Sequence, residues 1–348
     1  NTVYYNTSDP NNYVVFDTAI WEGKGTDTEP YLVSTVDELK DIKYLLSGKF
    51  KQTADLNLTG IAWAPLGDTS EAPFTGVYDG NSKIISNLSV ERTSSEIGLG
   101  MFGYAQSATL RGITLNTVRV TESTEGSKIG GLIGVDSASS ITGCDIVHAV
   151  ITGCGSVGGF IGEAAGSIID NSRISGNVTI TANNQTSSNV GGIVGLAAGV
   201  TVRNYSAVNG SLGTFGIIGY VNAGGVVGSA IGGTIENTVV TGVNISNLKL
   251  DENVGAVAGN ISNGTVITGV AVANTNVSAD NLVGGIVGKC DTGSVNSSTI
   301  DTCTIVATDE NPEVGILFGR KGAGTTANCS VIGLTIVNGT SYQNEPVQ

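Results

Sequence analysis

The chain has 348 residues, enough for two ordinary domains or one elongated one, and 51 glycines against 6 prolines with 40% hydrophobic residues exclude collagen and disorder. A net charge of -14 excludes nucleic acid and anionic bilayers as partners, and no run approaches the roughly 18 apolar residues of a membrane span, so no membrane insertion is predicted. Aromatics are only 5%, so the core must be built from Val, Ile, Leu and Ala, the residues that suit stacked strands.

In chain order, residues 1–78 differ from the rest: they hold both Trp residues and four of the six Pro. Ser34-Thr35-Val36-Asp37 reads as a helix N-cap. Val36, Leu39, Ile42, Leu45 and Leu46 then recur at helical spacing as far as Gly48. A helix is predicted over about 35–47, within an N-terminal cap that covers the open edge of the first coil.

Residues 79–348 repeat. The last Gly of a G-[GA]-x-x-G-like element recurs at Gly103, Gly134, Gly162, Gly195, Gly228, Gly259, Gly288 and Gly319, a period of about 31 residues. Seven residues after each stands Leu110, Ile141, Ile169, Val202, Ile235, Val266, Val295 or Thr326. Counting from that column, a second apolar column falls at +5 (Leu115, Ile146, Ile174, Ala207, Val240, Ala271, Ile300, Val331). A mixed one falls at +8 (Val118, Ala149, Asn177, Gly210, Val243, Asn274, Cys303, Leu334). Short alternating runs separated by Gly or Asn predict strands and tight turns. The fold expected is all-β: a parallel β-helix (β-solenoid) of eight to nine coils, three short strands per coil. At about 4.8 Å between stacked strands, eight coils make a rod about 40 Å long.

Asn or a small residue recurs at +2, where a turn favours the left-handed region. Asn87, Asn171, Asn204, Asn237 and Asn328 are assigned to this structural column, with stacked amides expected along it. The same phasing stacks Asp145 on Arg173, and Asp170, Arg203 and Glu236 in three successive coils, as charge ladders that set register. The five cysteines show no C-x-x-C, and His148 is the only histidine, so neither metal nor cofactor is expected. They read as buried small hydrophobes; only Cys303 and Cys329, in adjacent coils, are placed for pairing.

If the span from each motif Gly through +8 keeps one length, all insertions leave along one edge of the rod. The loops there carry Glu122, Glu125, Asp251, Glu252, Asp280, Asp309, Glu310 and Glu313, a candidate row for calcium or a cationic partner. No G-G-x-G-x-D calcium repeat accompanies them. A second candidate surface follows from parity. Each glycine element carries two adjacent apolar residues, such as Leu132/Ile133 and Ile193/Val194. One column then faces outward as an apolar stripe suited to self-association, unless a Gly-induced bend turns both inward.

No columns stack carboxylates in adjacent coils, as a glycosidase or lyase centre would require, and no P-loop, nucleophile elbow or paired Cys and His occurs. The stretches "VSTVDELKDI", "FKQTADLNLTGIAWAPLG" and "FTGVYDGNSKIISNLSV", followed by "GLGMFGY", "IGGLIG", "VGGIVG" and "AGGVVG", resemble GLUG-motif repeat proteins over nearly the whole chain. That resemblance implies a bacterial extracellular or cell-surface β-helix, adhesin-like, and supplies no catalytic residues. The expectation is therefore a noncatalytic scaffold that presents loops or a stripe to a protein or glycan. The alternatives are a polysaccharide lyase or glycosidase, or a structural spacer.

Overall fold

The computed structural model describes residues 2–5, 13–16, 19–90, 92, 98–183, 188–208, 214–247 and 252–347. It is a parallel β-solenoid of about nine turns with one short helix near its N-terminus. The test of the repeat is whether equivalent residues stack. They do: Leu110, Ile141, Ile169, Val202 and Ile235 lie in one file, each the register partner of the next. All of them are buried.

The runs predicted as three strands divide into five. In one coil these are Val227–Ile231, Thr234–Glu236, Val239–Thr241, Asn244–Asn247 and Asn253–Gly255. The first two belong to one parallel sheet and the last three to the other. The divisions fall where the backbone enters the left-handed region, at Gly232 (φ 70), Asn237 (φ 49) and Gly242 (φ 69), which breaks each run into pieces of three to five residues. At each such corner one amide reaches the adjacent coil, as Asn237 N does to Thr268 O at 3.1 Å, so the bend keeps a hydrogen bond between coils.

The predicted phase slips in one coil. Asn263 (φ 55) and Gly264 (φ 74) add a residue to a corner, so Ile267, not Val266, follows Ile235. Val272 replaces Ala271 beside Val240. The +8 column is corrected more widely: Val178 and Phe215 take the inward positions expected of Asn177 and Gly210. Thr275 is buried in place of Asn274, and Leu334 is exposed. Extra residues thus enter at several corners, not along one edge only. The connection between Ser206–Val208 and Phe215–Gly219 is the longest departure at the corner that was expected to keep its length.

The parity question resolves against an exposed stripe. Leu132, Ile133, Phe160, Ile161, Ile193, Val194, Val226 and Val227 are all at most 1% exposed. Two successive amides donate to a single carbonyl of the next coil, as Leu132 N and Ile133 N do to Phe160 O at 3.0 and 2.9 Å. That bulge-like pairing breaks the strand alternation and turns both side chains inward. The surface proposed for self-association is therefore core. The motif glycines make the bend sterically feasible. A methyl on Gly195 would fall 2.5 Å from Val157 N and 2.7 Å from Gly162 O, backbone atoms of the coil before it.

At the N-terminus the helix is shorter than the 35–47 expected. It runs Val36–Asp41, followed by a 3-10 turn at Ile42–Tyr44. Its start is as read: Thr35 Oγ1 accepts Glu38 N, while Glu38 Oε2 accepts Thr35 N and Ser34 N. It stops because Leu46 is already committed to the next rung, its carbonyl accepting Thr75 N and Gly76 N at 2.9 and 3.0 Å. Leu45 and Leu46 keep helical spacing but pack from a turn. The sheet passes unbroken from this region into the repeats, with Tyr31, Phe50, Tyr78 and Leu110 in register. Trp21 packs on Tyr31 and Phe50 at ring-centroid distances of 5.4 and 5.0 Å.

At the C-terminal end, Thr340–Tyr342 and Glu345–Val347 fold back antiparallel on Thr335–Val337 and Cys329–Val331, covering that sheet's last rung.

Candidate binding surfaces

Among the described residues, the loop carboxylates are engaged one by one and do not gather at a shared cation site. Glu122 accepts Ser123 N, Thr124 N and the Thr124 hydroxyl, and lies 3.5 Å from Arg92. Partial burial works to raise its carboxyl, but those hydrogen bonds and Arg92 outweigh it and hold it below the usual carboxylate range. Glu313 pairs with Arg320 through both oxygens, and the Arg320 hydrogen bond holds its carboxyl low. Asp280 Oδ1 accepts the Thr308 hydroxyl at 2.7 Å, and Asp309 Oδ1 accepts Glu310 N at 2.6 Å. Glu252 is buried, 5% exposed, and cannot act as a surface carboxylate. Glu125 and Glu310 are exposed. Asp251 lies outside the described residues. Among the described residues no three His, Cys, Asp or Glu side chains gather as metal ligands. Glu122 and Asp309 hold their own loops in shape, while Asp280 and Glu313 tie theirs to Thr308 and Arg320.

The polar corner is better ordered than the loops. Gly112, Gly143, Asn171, Asn204, Asn237, Gly269, Ser297 and Asn328 all occupy the left-handed region. Asn87 does not belong among them. Ile85 pairs with Leu115, which puts Asn87 at the next corner, with Thr117 and His148. The amides at this corner do not stack on one another: Asn204 Nδ2 donates to Asp170 Oδ1 at 2.8 Å. That bond, ahead of Arg203, holds the Asp170 carboxyl low. Beside the corner run the charge ladders, with Asp145 facing Arg173 (3.5 Å) and Asp170 facing Arg203 (3.0 Å). Asp145, Asn171, Arg173, Asn204 and Ser206 line a shallow groove of about 290 Å³.

Amide ladders do exist, at positions the sequence reading missed. Asn222 Nδ2 donates to Asn189 Oδ1 at 2.8 Å, and Asn253 Nδ2 to Asn222 Oδ1 at 2.7 Å. Asn276 bonds Asn244 likewise at 2.8 Å. The signal for the first ladder was present: each Asn stands two residues before a motif Gly, in "NVGG", "NAGG" and "NVGA".

All five cysteines are free thiols. Cys303 donates to Asp301 O and Cys329 to Val295 O, each at 3.4 Å. Burial pushes the Cys144 thiol up to about 12. Cys154 is half-buried rather than core. His148 is exposed at its corner, its Nδ1 accepting Asn177 N at 2.9 Å.

Stacked parallel coils closed by left-handed corners define the chain as a β-solenoid repeat protein. No family model matches it. Over 158 residues it is 27% identical to Halomucin of Haloquadratum walsbyi, covering 36% of this chain and 2% of that protein. Over 121 residues it is 30% identical to a provisionally named Gly-rich membrane protein of Evansella cellulosilytica, covering 32% of this chain and 14% of that protein. The chain thus spans a small part of the curated relatives it matches. Two solved structures are similar at 16% identity. One is a Bacteroides ovatus protein provisionally named an immunoglobulin A1 protease, with TM-score 0.49, covering 94% of this chain and 83% of that one. The other is named IgA1 Protease, with TM-score 0.44, covering 85% of this chain and 24% of that one. No helix among the described residues is long and apolar enough to cross a membrane.

Proposed function

We propose that this chain is a noncatalytic, adhesin-like scaffold of a cell-surface or secreted protein, and that it binds a protein or glycan along its polar corner and loops. The observation that carries the reading is the register of the corner. Asp145 and Arg173, and likewise Asn171 and Asn204, occupy equivalent positions of adjacent coils on a backbone fixed by the file beneath. A periodic row of fixed polar groups suits an extended ligand. The GLUG-like motif spacing, and the stretches shared with Halomucin and a Gly-rich membrane protein, support a surface setting.

The test is a glycan and matrix-protein array with light scattering, using the full chain beside variants Asn171→Ala/Asn204→Ala and a shortened 307–313 loop. Loss of a ligand in either variant supports the reading. Product release from a polysaccharide or protein, abolished by an Asp or Glu substitution, would replace it with an enzyme.

A further inference from the structure

Beyond the corner and loops, one cleft has the makings of a ligand site. The loop from Glu22 to Tyr31 folds back over the outer face of the first rungs. It is closed by Lys24 N and Thr26 N donating to Glu29 O, and by Glu29 N donating to Thr26 Oγ1. Beneath it lies a cleft of about 150 Å³ lined by Thr26, Asp27, Thr28, Lys49, Lys51 and Arg111, among others. Lys51, Asp79 and Arg111 come from three successive rungs in strict register. Lys51 and Arg111 therefore stand about 10 Å apart along the rod, and Lys49 stands about 7 Å from Lys51 along its strand.

The charges in this cleft are incompletely matched. Arg111 engages Asp79 through Nε at 3.0 Å. Asp27 reaches Lys49 at 2.7 Å, but Asp27 is 82% exposed. An ion pair so exposed contributes less than about 1 kcal/mol, so an incoming anion can displace Asp27 at little cost. Lys51 makes no ion pair among the described residues and lines a second, adjoining hollow with Lys24 and Leu32. Against a chain of net charge -14, this is a local concentration of cations under a strap whose own carboxylate occupies one of them.

We propose that this cleft binds an acidic oligosaccharide. Three cations rooted about 7–10 Å apart on the backbone suit a ligand that carries anionic groups on successive units. The interleaved Asp79, Thr26 and Thr28 accept hydroxyl donors, which a sugar supplies and a polyglutamate chain does not. Asp27 acts as a built-in competitor for the Lys49 subsite.

Isothermal titration of the full chain with linear oligogalacturonate tests this, with dextran and polyglutamate as controls and circular dichroism checking the fold of each variant. Oligogalacturonate is expected to bind in low salt. Lys51→Gln should weaken it about tenfold, and Lys49→Gln/Lys51→Gln should abolish it. Asp27→Asn should strengthen it several-fold. Absent binding, equal binding of dextran, preference for polyglutamate, or an affinity unchanged in Lys51→Gln overturns the proposal. Shortening 307–313 should leave this affinity intact, so failure at the loops and failure at the cleft are read separately.

Discussion

Three glycines separate the two ways a glycine can be required in this fold. Gly195 has an ordinary backbone, but a Cβ on it would meet Val157 N at 2.5 Å, Gly162 O at 2.7 Å and Asn189 O at 2.9 Å. Those are backbone atoms of the coil before it and of the preceding strand of its own coil, and neither can move without opening the ladder. Gly166 has φ +65 and open space around its missing Cβ. Gly216 has open space and no positive φ. Gly195→Ala should therefore cost at least about 3 kcal/mol, the upper end for overpacking, because the obstacle is main chain on both sides. Gly166→Ala should cost about 1–2 kcal/mol for the left-handed conformation alone. Gly216→Ala should be neutral or stabilise by up to about 1 kcal/mol through the unfolded chain. Urea unfolding followed by far-UV circular dichroism gives all three on one scale. If Gly195→Ala costs no more than Gly216→Ala, close packing of adjacent coils is not what the motif glycines provide.

Asp136 stands in a file of Ala105, Ala164 and Ala197 and is 2% exposed, its Oδ2 accepting the Ser167 hydroxyl at 2.5 Å. Burial pushes its carboxyl above the ordinary 3.8, against hydrogen bonds from Ser139 and Ser167. The folded state holds this proton more tightly than the unfolded one, so the contribution is fully present below pH 3.8 and lost as pH rises through the folded value. Asp136→Ala should gain stability relative to the wild type between pH 4 and pH 7.5, and a difference in urea midpoint that is the same at both pH values would refute this. Asn222→Ala, which breaks both bonds of its ladder, should cost about 1–3 kcal/mol, whereas exposed Asn276→Ala should cost under about 1 kcal/mol, both read by urea titration. Thr35→Ala should cost about 1 kcal/mol by removing the helix cap, and equal melting of variant and parent would exclude that role. Lys321 follows Cys290 in the inward file at the last rung, where it blunts a strand edge. Lys321→Ile should raise self-association in light scattering, and an unchanged mass would show that the edge is protected otherwise.

What the sequence discloses here follows from how rigidly each feature is tied to the repeat. The glycine elements and the file through Ile141, Ile169 and Val202 are legible because sterics and burial fix both residue type and spacing. The register slip at Asn263 and Gly264 is not, because an extra left-handed residue satisfies its corner as well as the usual one does. Asn87 falls at a different corner from the one its spacing predicts for a related reason: both corners favour the same residues, and only the pairing of Ile85 with Leu115 tells them apart. The inward turn of Leu132 with Ile133 depends on two amides sharing one carbonyl, which no pattern of apolar letters records. The loop carboxylates were legible as charges but not as partners, since Arg92 and Arg320 reach Glu122 and Glu313 through the fold.

These constraints also bear on where a binding surface can arise. The short strand after a glycine pair has no room for a Cβ at its Gly, because the backbone of the previous coil lies against it, as Val157 lies against Gly195. Corners are the opposite case. One accepts Gly143, Asn171 and Ser297 alike, and others take the added residue at Gly264 or the link from Val208 to Phe215 without moving the files beneath. Sequence can therefore vary at corners and at the strap over Lys49 and Lys51 while the rod stays as it is. A chain built this way separates the residues that must repeat from those that are free to recognise something. Substitutions that alter ligand affinity without altering the unfolding midpoint should accordingly concentrate at the corners and strap. A saturation screen reporting both quantities would overturn this division if such substitutions were found instead among the motif glycines.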